Sequence, residues 1–96
     1  MDESQPVTFD ESRFNTVFGC VVQRRRLACS ATTQQIAARC NLTAAEVDHI
    51  EKGDRAVSVQ EFLKISQALG TSPDDLYRET RGLLCIAVMP LGVAQH

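Results

Sequence analysis

Residues 33–52 read TQQIAARCNLTAAEVDHIEK, and the spacing of their apolar side chains decides how the rest of the chain must fold. Ile36, Ala37 and Cys40 fall on one face of a first short helix, and Val47 and Ile50 on one face of a second, with Leu42 between them. A hydroxyl opens each segment. Thr32 is followed three residues later by Gln35, and Thr43 by Glu46, the pairing in which hydroxyl and later side chain satisfy each other's orphan backbone N–H. Asn41, which tolerates the left-handed conformation, sits where the chain must turn. Ala37 is small enough to let the second helix cross close over the first, and Val47 and Ile50 are the branched anchors that hold the crossing steep.

The same punctuation extends outward on both sides. Upstream, Phe14, Val17, Phe18, Val21, Val22 and Ala28 draw one stripe along a helix from about Asp10 to Ala28. Arg24, Arg25 and Arg26 crowd its last turns, where cations suit the helix dipole, and Thr8 with Glu11 would cap its start. Downstream, Ser58 with Glu61 opens a fourth helix, and Ser72 ahead of Pro73 opens a fifth. Gly53, Gly70 and Gly82 are the expected stops. These signals predict helices over 10–28, 33–40, 44–52, 59–69 and 73–81, an all-α bundle. Its core is Ile36, Ala37, Cys40, Leu42, Val47 and Ile50, closed over by Phe62, Leu63, Ile65, Leu69 and Leu76, with Tyr77 at the edge.

Beyond Gly82, Leu83 to Met89 is continuously apolar and is followed by Pro90. It reads as a strand, and one isolated strand must pair with the same strand of another subunit, through Leu84, Ile86 and Val88. The other reading is an extension that covers the core. The chain therefore divides into an acidic arm at 1–11, which Val7 and Phe9 could anchor, a helical domain at 12–81 and an apolar extension at 82–96.

Composition narrows the function. Ninety-six residues, 44% hydrophobic and 23% charged, make one ordinary globular core. No apolar run approaches the roughly 18 residues of a membrane span, and the acidic start lacks a secretion signal, so a cytoplasmic location is expected. The formal net charge of −2 conceals a gradient, because acids gather in the first twelve residues while residues 13–55 are mildly basic, which suits phosphate contacts. Four cysteines, with no paired spacing and only two histidines, make no zinc framework, and no metal or cofactor is expected. They read as small buried hydrophobes, with Cys29, beside the arginine run, the first to test for reactivity. No Ser/His/Asp set, paired carboxylates or phosphate-cradling glycine loop points to an enzyme.

Over residues 18–78 the chain resembles the lambda-repressor/Cro-like helix-turn-helix family of regulators. The matching elements are Phe18-Gly19, Val22 and Arg26 in the first helix, then Ile50-Glu51-Lys52-Gly53 followed by Arg55. Phe62-Leu63, Ile65 and Ala68-Leu69-Gly70 follow, and Ser72-Pro73-Asp74-Asp75-Leu76 completes the set. The resemblance implies a five-helix domain whose third helix enters the DNA major groove, with base edges met by Thr43, Ala44, Ala45, Glu46 and His49. Phosphates would meet Thr33, Gln34, Arg39, Lys52 and Arg55. It further implies an ion pair between Arg26 and Glu51 on facing helices. A dimeric repressor or autoregulator on palindromic double-stranded DNA is the function that follows.

The sequence departs from the family at Thr33, where glutamine is usual, at Asn41, usually glycine, and at Val57, usually proline. Helix three also carries Glu46 and Asp48 beside two alanines, where arginine, glutamine or asparagine readers are common. Glu46 has a second role as a capping residue, and His49 as a solvated one. The alternative function is a protein-binding module on the same scaffold, one that antagonises or partners another regulator.

Overall fold

Thr32, Thr43, Ser58 and Ser72 each open a helix. The computed structural model describes residues 11–88, with side chains for 12–84. Over that span the chain forms α1 (Glu11–Ala28), α2 (Thr33–Cys40), α3 (Ala44–Lys52), α4 (Val59–Ala68) and α5 (Pro73–Val88). All three Ser/Thr capping boxes close reciprocally. At α2, for example, the Gln35 N–H donates to Thr32 Oγ1 at 3.0 Å and the Thr32 N–H to Gln35 Oε1 at 2.9 Å. Ser72 Oγ accepts the Asp75 N–H at 3.0 Å ahead of α5. The pairing of Thr8 with Glu11 lies outside the described residues.

The turn between α2 and α3 is made by Asn41 at φ 60°, with the Leu42 N–H donating back to the Ala37 carbonyl at 2.9 Å. Asparagine bears this conformation at little cost because its short amide does not clash as a branched side chain would. α3 ends on Gly53 at φ 81°, whose N–H returns to Ile50 O and His49 O.

The core gathers Phe18, Val21 and Val22 of α1, Ile36, Ala37 and Cys40 of α2, and Val47 and Ile50 of α3. Ile65, Ala68, Leu69 and Leu76 close it from α4, its cap and α5. Phe18 stacks on Phe14 at 5.9 Å and tilts against Phe62 at 5.5 Å between ring centroids, tying α1 to α4. Among the described residues the two fully buried hydroxyls are satisfied locally, Ser66 by Leu63 O and Thr80 by Leu76 O.

α1 packs against both α3 and α5, α2 against α3 and α4, and α4 against α5. α1 and α3 approach closely at buried Gly19, where a Cβ would overlap the carbonyl oxygens of Ile50 and Glu51.

Four expectations differ from the structure, the first being that Cys20 and Cys29, read as buried, are exposed. Phe62 packs half-buried against the core as expected, whereas Leu63 is 45% exposed, because the inward face of α4 runs through Ile65, Ser66 and Ala68. Ala28, placed on the apolar stripe of α1, is exposed at its last turn. Gly82 does not stop α5, and residues 83–88 are helical where a strand was expected. Leu83 packs on the core, and a helix satisfies its backbone hydrogen bonds within the segment, whereas a lone strand has no ladder partner. The expected boundary at 81/82 thus falls inside a continuous helix, and the remainder of the apolar extension lies outside the described residues. Gly82 has open space around it and no left-handed φ, so nothing obliges the helix to end there.

Gly19→Ala should destabilise the fold by about 2 kcal/mol, since overpacking against rigid backbone costs about 3 and the gain in helix propensity returns about 1. Urea unfolding followed by circular dichroism measures the difference; a neutral result would contradict the close approach.

Candidate nucleic-acid interface

With Val47 and Ile50 buried, the helical period turns the opposite face of α3 to solvent, and that face is Ala45, Asp48, His49 and Lys52. Of the residues expected to meet bases, Ala45 and His49 lie squarely on it, Thr43 is the exposed cap, and Ala44 and Glu46 are half-buried on the flanks. Asp48 shares the outward face although it was not among the expected readers. Its three-residue spacing from Ala45 carried that information in the sequence.

Glu46 is held by its own helix start, since its Oε1 accepts the Thr43 N–H at 2.9 Å. His49 Nδ1 lies 3.6 Å from Asp54 Oδ2, with both side chains more than half exposed.

The residues expected to meet phosphates divide into those turned outward and those engaged within the fold. Thr33 and Gln34 occupy the first turn of α2, Thr33 half-buried and Gln34 exposed. Lys52 is exposed at the end of α3 and has no ion pair among the described residues. Arg39 donates from Nη1 to the Ala68 carbonyl at 3.1 Å, across to the end of α4. Arg55 forks onto Glu61, Nη1 to Oε1 at 3.1 Å and Nη2 to Oε2 at 2.8 Å. That pairing holds the Glu61 carboxyl below its ordinary range, with the Ser58 N–H adding to the effect, and raises the Arg55 guanidinium.

Behind the face, Arg26 and Glu51 form the ion pair that the resemblance implies. Nε meets Oε2 at 2.6 Å and Nη2 meets Oε1 at 3.0 Å, while Nη1 also donates to the Ala31 carbonyl at 2.9 Å. Their side chains are only 12% and 5% exposed, and the bidentate fork pins α1 to the last turn of α3. The bond to Glu51 raises the Arg26 guanidinium above its ordinary value. Arg25 is similarly committed to Glu79 at 2.6 Å, on the α1–α5 side away from α3.

Cys40 is buried, and burial pushes its thiol up; Cys20 and Cys29 are exposed. Among the described residues no group of three His, Cys, Asp or Glu side chains could hold a metal ion, and no helix is long and apolar enough to cross a membrane.

This geometry is two crossed helices behind an outward polar face, and the sequence profile of a helix-turn-helix domain matches residues 17–83. The chain belongs to the lambda-repressor/Cro-like helix-turn-helix family. Within this helix-turn-helix family, it is 41% identical over 61 residues to the control protein C.BamHI of Bacillus amyloliquefaciens, spanning 62% of this chain and 75% of that protein. Among solved structures it is similar to the clp gene regulator ClgR of Corynebacterium glutamicum. The TM-score is 0.76 with 18% identity, over 96% of this chain and 92% of ClgR. It is also similar to the restriction-modification controller protein C.Esp1396I, solved as a tetramer with its natural 35-base-pair operator. There the TM-score is 0.68 with 18% identity, over 75% of this chain and 95% of that one.

The depressed Glu61 carboxyl has a consequence for acid stability. A carboxylate lowered in the fold stabilises it above its unfolded value and loses that contribution as pH falls through the folded one. Glu61→Gln keeps the capping box but cannot titrate, so the wild-type advantage over this variant should be full at pH 7, shrink as pH falls below the ordinary glutamate value of about 4.3, and be gone once it passes the lower folded value. Thermal melts across that range decide it; an unchanged gap at low pH would disprove the pairing.

Proposed function

We propose that this protein is a sequence-specific DNA-binding transcriptional regulator, a non-enzymatic dimeric repressor or autoregulator acting in the cytoplasm on a palindromic operator. The observation that carries the reading is the outward face of α3, held clear of the core on a scaffold of the helix-turn-helix family. It is supported by likeness to a named control protein and to a controller protein solved on its operator.

In this reading α3 lies in the major groove. Ala45 meets a thymine methyl, His49 and Thr43 reach base edges or the adjoining backbone, and Asp48 accepts from a cytosine amino group. Ala44 and Glu46 flank that contact. Thr33 and Gln34 present the first turn of α2 to a phosphate, Lys52 meets another, and the remaining donors of Arg39 are available beside them.

The second copy would be joined through the C-terminal part of α5. The contact expected at Leu84, Ile86 and Val88 cannot be a strand pair, because those positions are helical; on a helix, 84 and 88 share a face that 86 does not.

The reading predicts retention of mixed-sequence duplex at low salt, weakening steeply as salt is added. Lys52→Ala should flatten the plot of log affinity against log salt by about 0.9, the share of one phosphate contact, equally on all sequences. Ala45→Gln should instead change which site is selected from a random pool. Failure of the wild-type chain to bind at low salt would favour the protein-binding alternative, which the solvent-facing Asp48 carboxylate would suit.

A further inference from the structure

Two capping boxes converge on one guanidinium. Arg55 lies between the end of α3 and the start of α4, forked onto Glu61 as described above. Glu61 Oε1 also accepts the Ser58 N–H at 3.1 Å, closing the box that starts α4. In the other direction Arg55 Nη2 lies 3.9 Å from Oε2 of Glu46, whose Oε1 closes the box that starts α3.

We propose that Arg55 is a positioning residue for α3, a strut that fixes its first turn relative to α4 and draws the Glu46 carboxylate toward the loop, and that it makes no phosphate contact of its own. Its functional readout rests on the DNA-binding reading above; its structural readout does not.

Charge and geometry both support this assignment. One guanidinium faces two carboxylates, so its charge is already matched before a phosphate approaches. Reaching DNA would require Arg55 to abandon a bidentate pair in which only 29% of its own side chain and 23% of that of Glu61 are exposed. Without the strut the Glu46 carboxylate, still bonded to the Thr43 N–H, would lose its neighbouring positive charge and add its negative charge to that of Asp48 near the groove, so the strut serves the contact without touching DNA.

The test is a salt titration of duplex binding by the full chain, comparing wild type, Arg55→Ala and Lys52→Ala. Arg55→Ala is expected to bind roughly fivefold more weakly at every salt concentration, the scale of one lost surface ion pair, with the wild-type slope retained. A slope flattened by about 0.9, as for Lys52→Ala, would make Arg55 a phosphate contact and overturn the proposal.

A second measurement needs no DNA. In Glu61→Gln, which retains the α4 box, loss of the fork should shift the amide resonances of Thr43 and Glu46 along with those of Ser58 and residue 61. Shifts confined to residues 55–61 would show that no strut reaches α3. A wild-type chain that fails to bind duplex would sink the DNA-binding reading alone, and the amide spectra would still decide the role of Arg55.

Discussion

The seating of α3 on α1 is the constraint on which the rest of the molecule depends. Gly19 lets the two backbones approach where any Cβ would collide with the Ile50 and Glu51 carbonyls. Arg26 then grips Glu51 through a bidentate pair that is nearly sealed from solvent. Desolvating two charges is costly, so removing either partner would leave an uncompensated buried charge where the two helices meet. α3 is nine residues long, too short to hold its shape alone, so its orientation is borrowed from α1 below and α2 beside it.

Local rules made most of this architecture legible. Each capping box binds residues three apart, so Thr32, Thr43 and Ser58 could be recognised without knowing the fold, and all three close as expected. Asn41 was readable for the same reason, its left-handed turn being a property of one residue. Gly82 misled because glycine permits a helix stop without compelling one, and the decision rested on Leu83 finding a place in the core. Leu63 misled because α4 has more apolar residues than its inward face can hold, and only the tertiary packing selects among them.

The candidate site was legible in its outline and less so in its charges. The family resemblance gave Ala45 and His49 their outward positions, and periodicity would have given Asp48 the same. Which cations remain at liberty is another matter. Arg39 turns to the Ala68 carbonyl, Arg25 to Glu79 and Arg55 to Glu61, each a partner distant in sequence or across a loop. Pairings of that kind depend on the finished fold, and a count of basic residues overstates what the surface can offer to an anion.

The order in which the helices touch has a mechanical consequence. α3 leans on α1 and α2, and α5 leans on α1 and α4, so α1 is the member common to both ends. It is also fastened twice along its final turns, by Arg25 to Glu79 and by Arg26 to Glu51. Adjacent residues on one helix thereby hold two different neighbours, α5 through Arg25 and α3 through Arg26, so the carboxyl-terminal helix and α3 share a single support.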